Sequence, residues 1–165
     1  MNKLFFILGN QLFNPEIIKN HGCNEIFMSE DFGLCTYEKH HKLKIYLFLC
    51  AMREYKDELV SNGLNVHYYT LNDRKKDQNY LSFFNDFISS HNFEEINFFE
   101  IEDKPFEKDI INGFKSNSIN YKIHSSPMFM FEKDEFRDFN KNNKVYRLSS
   151  FYQYGRKKFN ILMDE

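Results

Sequence analysis

The chain has 165 residues, with 22 Lys and Arg against 24 Asp and Glu, a formal net charge of −2, and 28% charged residues. That is the make-up of an ordinary soluble globular protein, long enough for one domain with a real core but not comfortably for two. No run nears the roughly 18 apolar residues that span a membrane, the apolar start is too short for a signal peptide, and no repeat or low-complexity tract occurs.

The composition holds 20 Phe, no Trp and one alanine, Ala51, beside abundant Lys, Asn, Ile and Tyr. This set matches AT-rich codons, so the phenylalanine excess reads as coding bias rather than as a stacking surface. In chain order, residues 3–8 form a first strand, apolar nearly throughout, as a strand covered on both faces should be. Asn14-Pro15 caps and opens a short helix. Residues 25–29 are a second strand. Thr36 then caps a long helix over 37–61, which Asn62-Gly63 stops. Ile45, Phe48, Leu49, Met52, Tyr55 and Leu59 follow helical spacing there, and Leu43, Leu47 and Cys50 thicken the stripe enough to bury much of its middle. Strands follow at 65–71, 95–99 and 119–124, with helices at 80–91 and 106–114 between them. The βαβαβαβαβ order predicts an α/β fold: a five-stranded parallel Rossmann-like sheet with helices on both faces. Beyond it lie a short helix at 132–140 and a basic, aromatic helical extension with a helix at 151–163. The domain boundaries are drawn at 1–130 and 131–165.

Cys23, Cys35 and Cys50 are spaced 12 and 15 apart with no Cys-x-x-Cys, so neither a zinc site nor a complete iron–sulfur site can be built from this chain alone. Reduced thiols in a cytoplasmic protein are the economical reading.

In an open parallel sheet, ligands bind beyond the carboxyl ends of the strands, near the point where the strand order reverses. That edge comprises Gly9-Asn10-Gln11, Glu30 to Leu34 including Phe32, Asn72-Asp73 and Glu100 to Asp103. Gly9 permits close backbone approach and the amides can recognise a heterocycle edge; equally, Gly9 turns the chain and the amides cap loops. Glu30 and Glu100 are either ligand contacts or solvated loop carboxylates, with Asp31 and Asp103 more exposed still. No phosphate-binding loop follows any strand. His40 and His41, in the first turns of the long helix, point about 100° apart and cannot chelate one metal together. No serine or cysteine has the setting of a nucleophile.

Residues 140–160 hold six cations, Lys141, Lys144, Arg147, Arg156, Lys157 and Lys158, and no acidic residue. They are interleaved with Tyr146, Phe151, Tyr152, Tyr154 and Phe159. Such a segment suits a single-strand or phosphate-backbone surface, or a helix that buries its aromatics against a partner and leaves its charges wet. The number of aromatics favours a missing partner surface.

Ile7-Leu8-Gly9-Asn10-Gln11-Leu12, Tyr37-Glu38-Lys39-His40-His41-Lys42-Leu43-Lys44-Ile45 and Ala51-Met52-Arg53 resemble the deoxyribodipyrimidine photolyase-related proteins, the bacterial iron–sulfur cryptochromes and (6-4) photolyases. The likeness continues through 126–139 and into Phe151-Tyr152-Gln153-Tyr154-Gly155-Arg156-Lys157-Lys158, and covers essentially the whole chain. It departs at Asn10, where the family has Asp, and at Leu34, where the family has an acidic residue. The resemblance implies an antenna-type domain whose chromophore, a ribityl lumazine in characterised members, would lie among Gly9, Asn10, Gln11, Glu30, Phe32, Leu34, Tyr37, His40 and Glu100. It places FAD, the 4Fe-4S cysteines and the lesion pocket in a larger helical domain that follows, so no catalytic or metal-ligating residue is assigned here and the chain is not catalytic alone. Arg147, Tyr152, Arg156, Lys157 and Lys158 would face that helical FAD domain, a separate polypeptide or, indirectly, DNA. The function so implied is light harvesting for DNA photorepair or blue-light sensing. The alternative is a stand-alone, non-catalytic interaction or small-ligand domain that docks through 140–163.

Overall fold

The computed structural model describes residues 2–75, 77–141, 145 and 147–163, with the side chain of Leu34 outside that set. The chain divides into two compact units, the first ending at Ser126 and the second beginning at Pro127.

Five strands, β1 (Lys3–Phe6), β2 (Glu25–Ser29), β3 (Asn65–Tyr69), β4 (Glu95–Phe99) and β5 (Tyr121–His124), form one sheet in the order β3-β2-β1-β4-β5. Every pairing is parallel, as the Rossmann-like expectation requires. β1, β2 and β4 are buried from their second residue onward, whereas the edge strands β3 and β5 are only half-buried. That is why the inner strands read as nearly unbroken apolar runs. The strand order reverses between β1 and β4.

The connections are α1 (Pro15–Lys19), α2 (Phe32–Thr36), α3 (Lys42–Ser61), a 3-10 turn at Leu71–Asp73, α4 (Tyr80–Ser89) and α5 (Lys104–Ser116). α1 and α3 cover one face, over Phe5, Ile7, Ile26, Met28 and Phe99. α4 and α5 cover the other, over Leu4, Phe6, Phe27, Ile96 and Phe98. Seven of the largest fully buried side chains are phenylalanines. With one alanine and three valines in the chain, rings fill volume that smaller aliphatic residues commonly occupy.

The long helix begins later than its sequence suggests. Thr36 is the last residue of α2, and its hydroxyl donates back to the Phe32 carbonyl at 2.7 Å instead of accepting from amides ahead. His41, in extended backbone conformation, caps α3: its Nδ1 accepts from the Leu43 amide at 3.2 Å. Residues 37–41 are therefore not helical, and His40 and His41 precede the helix rather than sit in its first turns. Asn62-Gly63 ends α3 as expected. The buried positions of α3 are Met52, Tyr55 and Leu59. Leu43 and Leu47 are 64% and 70% exposed, and Cys50 is exposed as well, contrary to the thickened buried stripe.

The second unit contains α6 (Lys133–Lys141) and α7 (Leu148–Phe159). The latter starts three residues before its sequence-based start and ends at Asn160, whose φ of 52° is left-handed. Phe131, Phe136 and Phe139 pack against Phe151, and Phe131 meets Phe159 at 5.1 Å between centroids. A Cβ on Gly155 would stand 2.8 Å from Phe131 Cζ, so glycine is what lets this ring lie on α7. Most aromatics of the basic segment thus find partners within their own unit, against the expectation that they await a missing surface. Lys144 and Tyr146 lie outside the described residues.

Candidate functional site

A cavity of about 380 Å³ opens at the carboxyl ends of β1, β2 and β4, at the reversal of strand order. Both helical layers contribute. Ile45, Phe48, Leu49 and Met52 of α3 line one side, while Tyr80 of α4 and Ile101 and Phe106 of the β4–α5 segment line the other. This explains the weak burial of the first half of α3: its inward residues border the cavity instead of a packed layer.

Gly9 sits at the end of β1 beneath α3. A Cβ there would stand 2.5 Å from Phe48 Cε1 and 2.6 Å from Met52 Sδ. Its missing side chain admits the two residues that wall the cavity.

Glu30, at the end of β2, is 1% exposed. Arg53 of α3 grips it with both arms, Nε to Oε1 at 2.6 Å and an Nη to Oε2 at 3.0 Å. The Tyr68 hydroxyl and the Leu71 amide donate as well, at 2.8 and 2.9 Å. Burial pushes the carboxyl up, but these donors, Arg53 foremost, outweigh it and hold Glu30 below the usual carboxylate range. It is a paired, buried carboxylate, not a solvated one.

Asp31 also departs from expectation. It is buried, and forms an ion pair with Arg74, itself buried, whose other bonds run to the Glu30 carbonyl at 2.7 Å and the Gln78 carbonyl at 3.0 Å. The guanidinium lies 4.8 Å from the Phe83 ring centroid. Asp103 is exposed, lines the cavity and caps α5 by accepting from the Phe106 amide at 3.1 Å. Burial, with Asp31 and Glu30 close by, pushes the Cys35 thiol up, so this lining cysteine is a neutral thiol.

Of the nine residues drawn from sequence as cofactor-binding, Gly9, Asn10, Glu30, Tyr37 and His40 line this cavity. The Tyr37 and His40 rings meet edge to face, 5.4 Å between centroids. Gln11, Phe32 and Glu100 are not among the lining residues. Gln11 is buried and donates through Nε2 to the Glu100 carbonyl at 2.8 Å, tying the end of β1 to the end of β4. The Leu34 side chain lies outside the described residues. Ile101 falls within the edge segment read from sequence, whereas Phe48, Met52, Tyr80 and Phe106 were not anticipated as site residues; helical spacing marks such positions as inward-facing without telling a packed layer from a cavity wall.

On the second unit, Arg147 and Lys157 are exposed and Tyr152 is 60% exposed. Arg156 donates to the Ile161 carbonyl at 3.1 Å, and Lys158 pairs with Glu135 of α6 at 2.6 Å. The docking set is therefore split, with Lys158 engaged inside the unit.

Among the described residues no group of three or more His, Cys, Asp or Glu could hold a metal ion, and no helix is long and apolar enough to cross a membrane. The three cysteines lie in different settings: Cys23 is buried, Cys35 half-buried and Cys50 exposed. They do not fit the iron–sulfur cluster that the resemblance places elsewhere.

Sheet order and two-sided helical cover define a Rossmann-like α/β domain with a cavity at its strand ends. The chain belongs to the deoxyribodipyrimidine photo-lyase-related protein family, whose sequence profile matches residues 5–165. It is also similar to a (6-4) photolyase from Agrobacterium fabrum, at 26% identity over 99% of this chain and 33% of that protein. The chain thus spans about a third of the length of that relative.

Proposed function

We propose that this chain is an antenna-type domain that holds an aromatic chromophore in the strand-end cavity and works beside a helical FAD-binding domain, in photorepair or blue-light sensing. The observation that carries this reading is the cavity itself, apolar-walled, about 380 Å³ and placed at the strand-order reversal. Ligand sites of this kind begin near 300 Å³ and combine apolar walls with a few polar groups. A ribityl lumazine or a flavin ring suits these walls, with the polyol reaching the mouth near Asn10, Tyr37 and His40. When bound, the ring system supplies near-UV or blue absorption. The chain's own residues orient it, with Phe48 and Met52 on one side and Phe106 on the other, and shield it from water. The buried carboxylates Glu30 and Asp31 are countered by Arg53 and Arg74, which leaves Asp103 and Lys44 as exposed charged residues in the cavity lining. The proposed setting is cytoplasmic.

The test is spectroscopic. The purified chain is incubated with ribityl lumazine or riboflavin and then desalted. A retained absorption band with quenched ligand fluorescence supports the reading; loss of both ligands on desalting, with no binding in titration, removes it.

A second reading rests on the outward side of α7, where Leu148 is 83% exposed and Tyr152, Arg147 and Lys157 are also exposed. This mixture suits a protein surface such as the FAD domain, with DNA as the competing partner. Binding to single-stranded DNA that weakens steeply with added salt would favour the nucleic acid; salt-insensitive binding to a helical partner would favour the protein.

A further inference from the structure

From Leu43 to Met52 of α3 every residue except Lys44 is apolar. A helix apolar on every side is ordinarily covered on every side. Ile45, Phe48, Leu49 and Met52 line the cavity. At about 100° per residue, Leu43, Tyr46, Leu47 and Cys50 fall on the opposite face. Tyr46 is 69% exposed there, and Leu43, Leu47 and Cys50 are exposed as well.

Charge is polarised along the same helix. Lys39, Lys42 and Lys44 at its start are exposed, and no acidic residue occurs from Lys39 to Arg53. Toward its end Glu54, Asp57 and Glu58 are exposed. Arg53 is committed to Glu30 and Lys56 to Asp57, whereas the three lysines, Glu54 and Glu58 have no ion-pair partner among the described residues. This polarity is the reverse of what suits a helix alone, because a helix start favours acidic side chains and a helix end basic ones. α3 has no acidic residue in its first turn and no basic one in its last. An identical helix laid antiparallel corrects both ends at once, setting carboxylates beside the lysines and opposing the two dipoles.

We propose that the outward face of α3 is a self-association surface, on which α3 of a second copy of this chain packs antiparallel about a two-fold axis between Leu47 and Cys50. A two-fold interface must be self-complementary, and this face is so in both shape class and charge. Leu47 meets Cys50 of the partner subunit, Leu43 and Tyr46 close around them, and Lys44 comes beside Glu54 of the partner subunit. One helix pair buries less than the roughly 1,600 Å² of a standard interface, so the dimer is weak and concentration-dependent. The apolar face lies opposite the cavity side of α3 and needs no ligand in the cavity.

Sedimentation equilibrium of the full chain, kept reduced, reads the dissociation constant. The unaltered chain is expected to dimerise at submillimolar concentration. Leu47→Glu, at an exposed position, is expected to weaken the dimer at least about tenfold with the melting temperature of the monomer unchanged. Glu54→Lys is expected to weaken it severalfold, and Lys44→Glu added to Glu54→Lys to regain the lost affinity; this charge exchange decides the matter even where Leu47→Glu disturbs the fold. A chain that stays monomeric up to millimolar concentration overturns the proposal and leaves the face to an unlike partner. A dimer indifferent to Leu47→Glu shows that the copies meet elsewhere and overturns it. A double variant no tighter than Glu54→Lys alone refutes the antiparallel pairing, and the proposal with it.

Discussion

At the scale of single residues, the rim of the sheet is governed by two buried carboxylates, each with an arginine drawn from a different element. Arg53 reaches Glu30 from α3, and its own side chain is 54% exposed. Arg53→Ala leaves Glu30 with the Tyr68 and Leu71 donors but no countercharge, and is expected to cost about 1–3 kcal/mol at neutral pH. The native Glu30 carboxyl lies below its unfolded value of 4.5, so its contribution is present above about pH 4.5 and lost as pH falls through the folded value. Without Arg53, burial dominates and raises the folded value, so the deficit of the variant is largest near pH 7 and narrows toward pH 4.5. Urea midpoints at the two pH values check this; a gap that widens on acidification contradicts it. Nothing in the local sequence Ser29-Glu30-Asp31 distinguishes these buried carboxylates from solvated ones. Their partners lie 23 and 43 positions away.

At the scale of elements, strands were more legible than helix boundaries. β2 and β4 coincide with their expected ranges because a buried parallel strand is an apolar run bracketed by polar residues. The start of α3 was misplaced because Thr36 offers a cap by residue type, but its hydroxyl is spent on the turn before it. Gly9 shows how an element contact shapes the site. Gly9→Ala places a methyl where Phe48 and Met52 now lie, and is expected to destabilise the chain by about 1–3 kcal/mol through overpacking while narrowing the cavity. Thermal unfolding and ligand titration on one preparation measure both effects, and a fully neutral variant would show that the two side chains move aside freely. In the second unit, Gly155→Ala presses on Phe131 in the same way. Trypsin should then cleave at Lys157 and Lys158 faster than in the unaltered chain; unchanged protection would show that the ring shifts at little cost.

At the scale of the whole molecule, one source of acid sensitivity is a pair of histidines in the first unit. The His21 and His124 rings meet at 3.8 Å between centroids, tilted by 32°, each stacked on Phe5, and His124 meets the Asn97 side-chain oxygen at 2.8 Å. Burial, then His21 and Lys122, push His124 down to about 4; burial and Lys122 also lower His21. Near neutral pH both are neutral in the fold, while an unfolded histidine takes up a proton near pH 6.5. Between about pH 6.5 and 4 the unfolded chain therefore binds more protons, and stability falls as pH falls across that window. His124→Phe keeps a ring in the stack and removes one titration. Its melting temperature should drop less between pH 7 and 4.5 than that of the unaltered chain, and an identical drop would assign the acid sensitivity elsewhere.

By itself the sequence determined the fold class, the strand order along the chain, the family resemblance and the edge of the sheet where a ligand would sit. All of these follow from patterns within short windows: apolar runs, helical spacing, caps and turn residues. The tertiary structure alone decided which residues surround the cavity, because Phe48, Tyr80 and Phe106 come from three separate segments and meet only once both helical layers cover the sheet. It also decided that Glu30 and Asp31 are buried and paired, and that Phe151, Tyr154 and Phe159 of the basic segment pack within their own unit. Burial and pairing depend on segments distant in sequence, and local residue types carry no record of which distant segment will arrive.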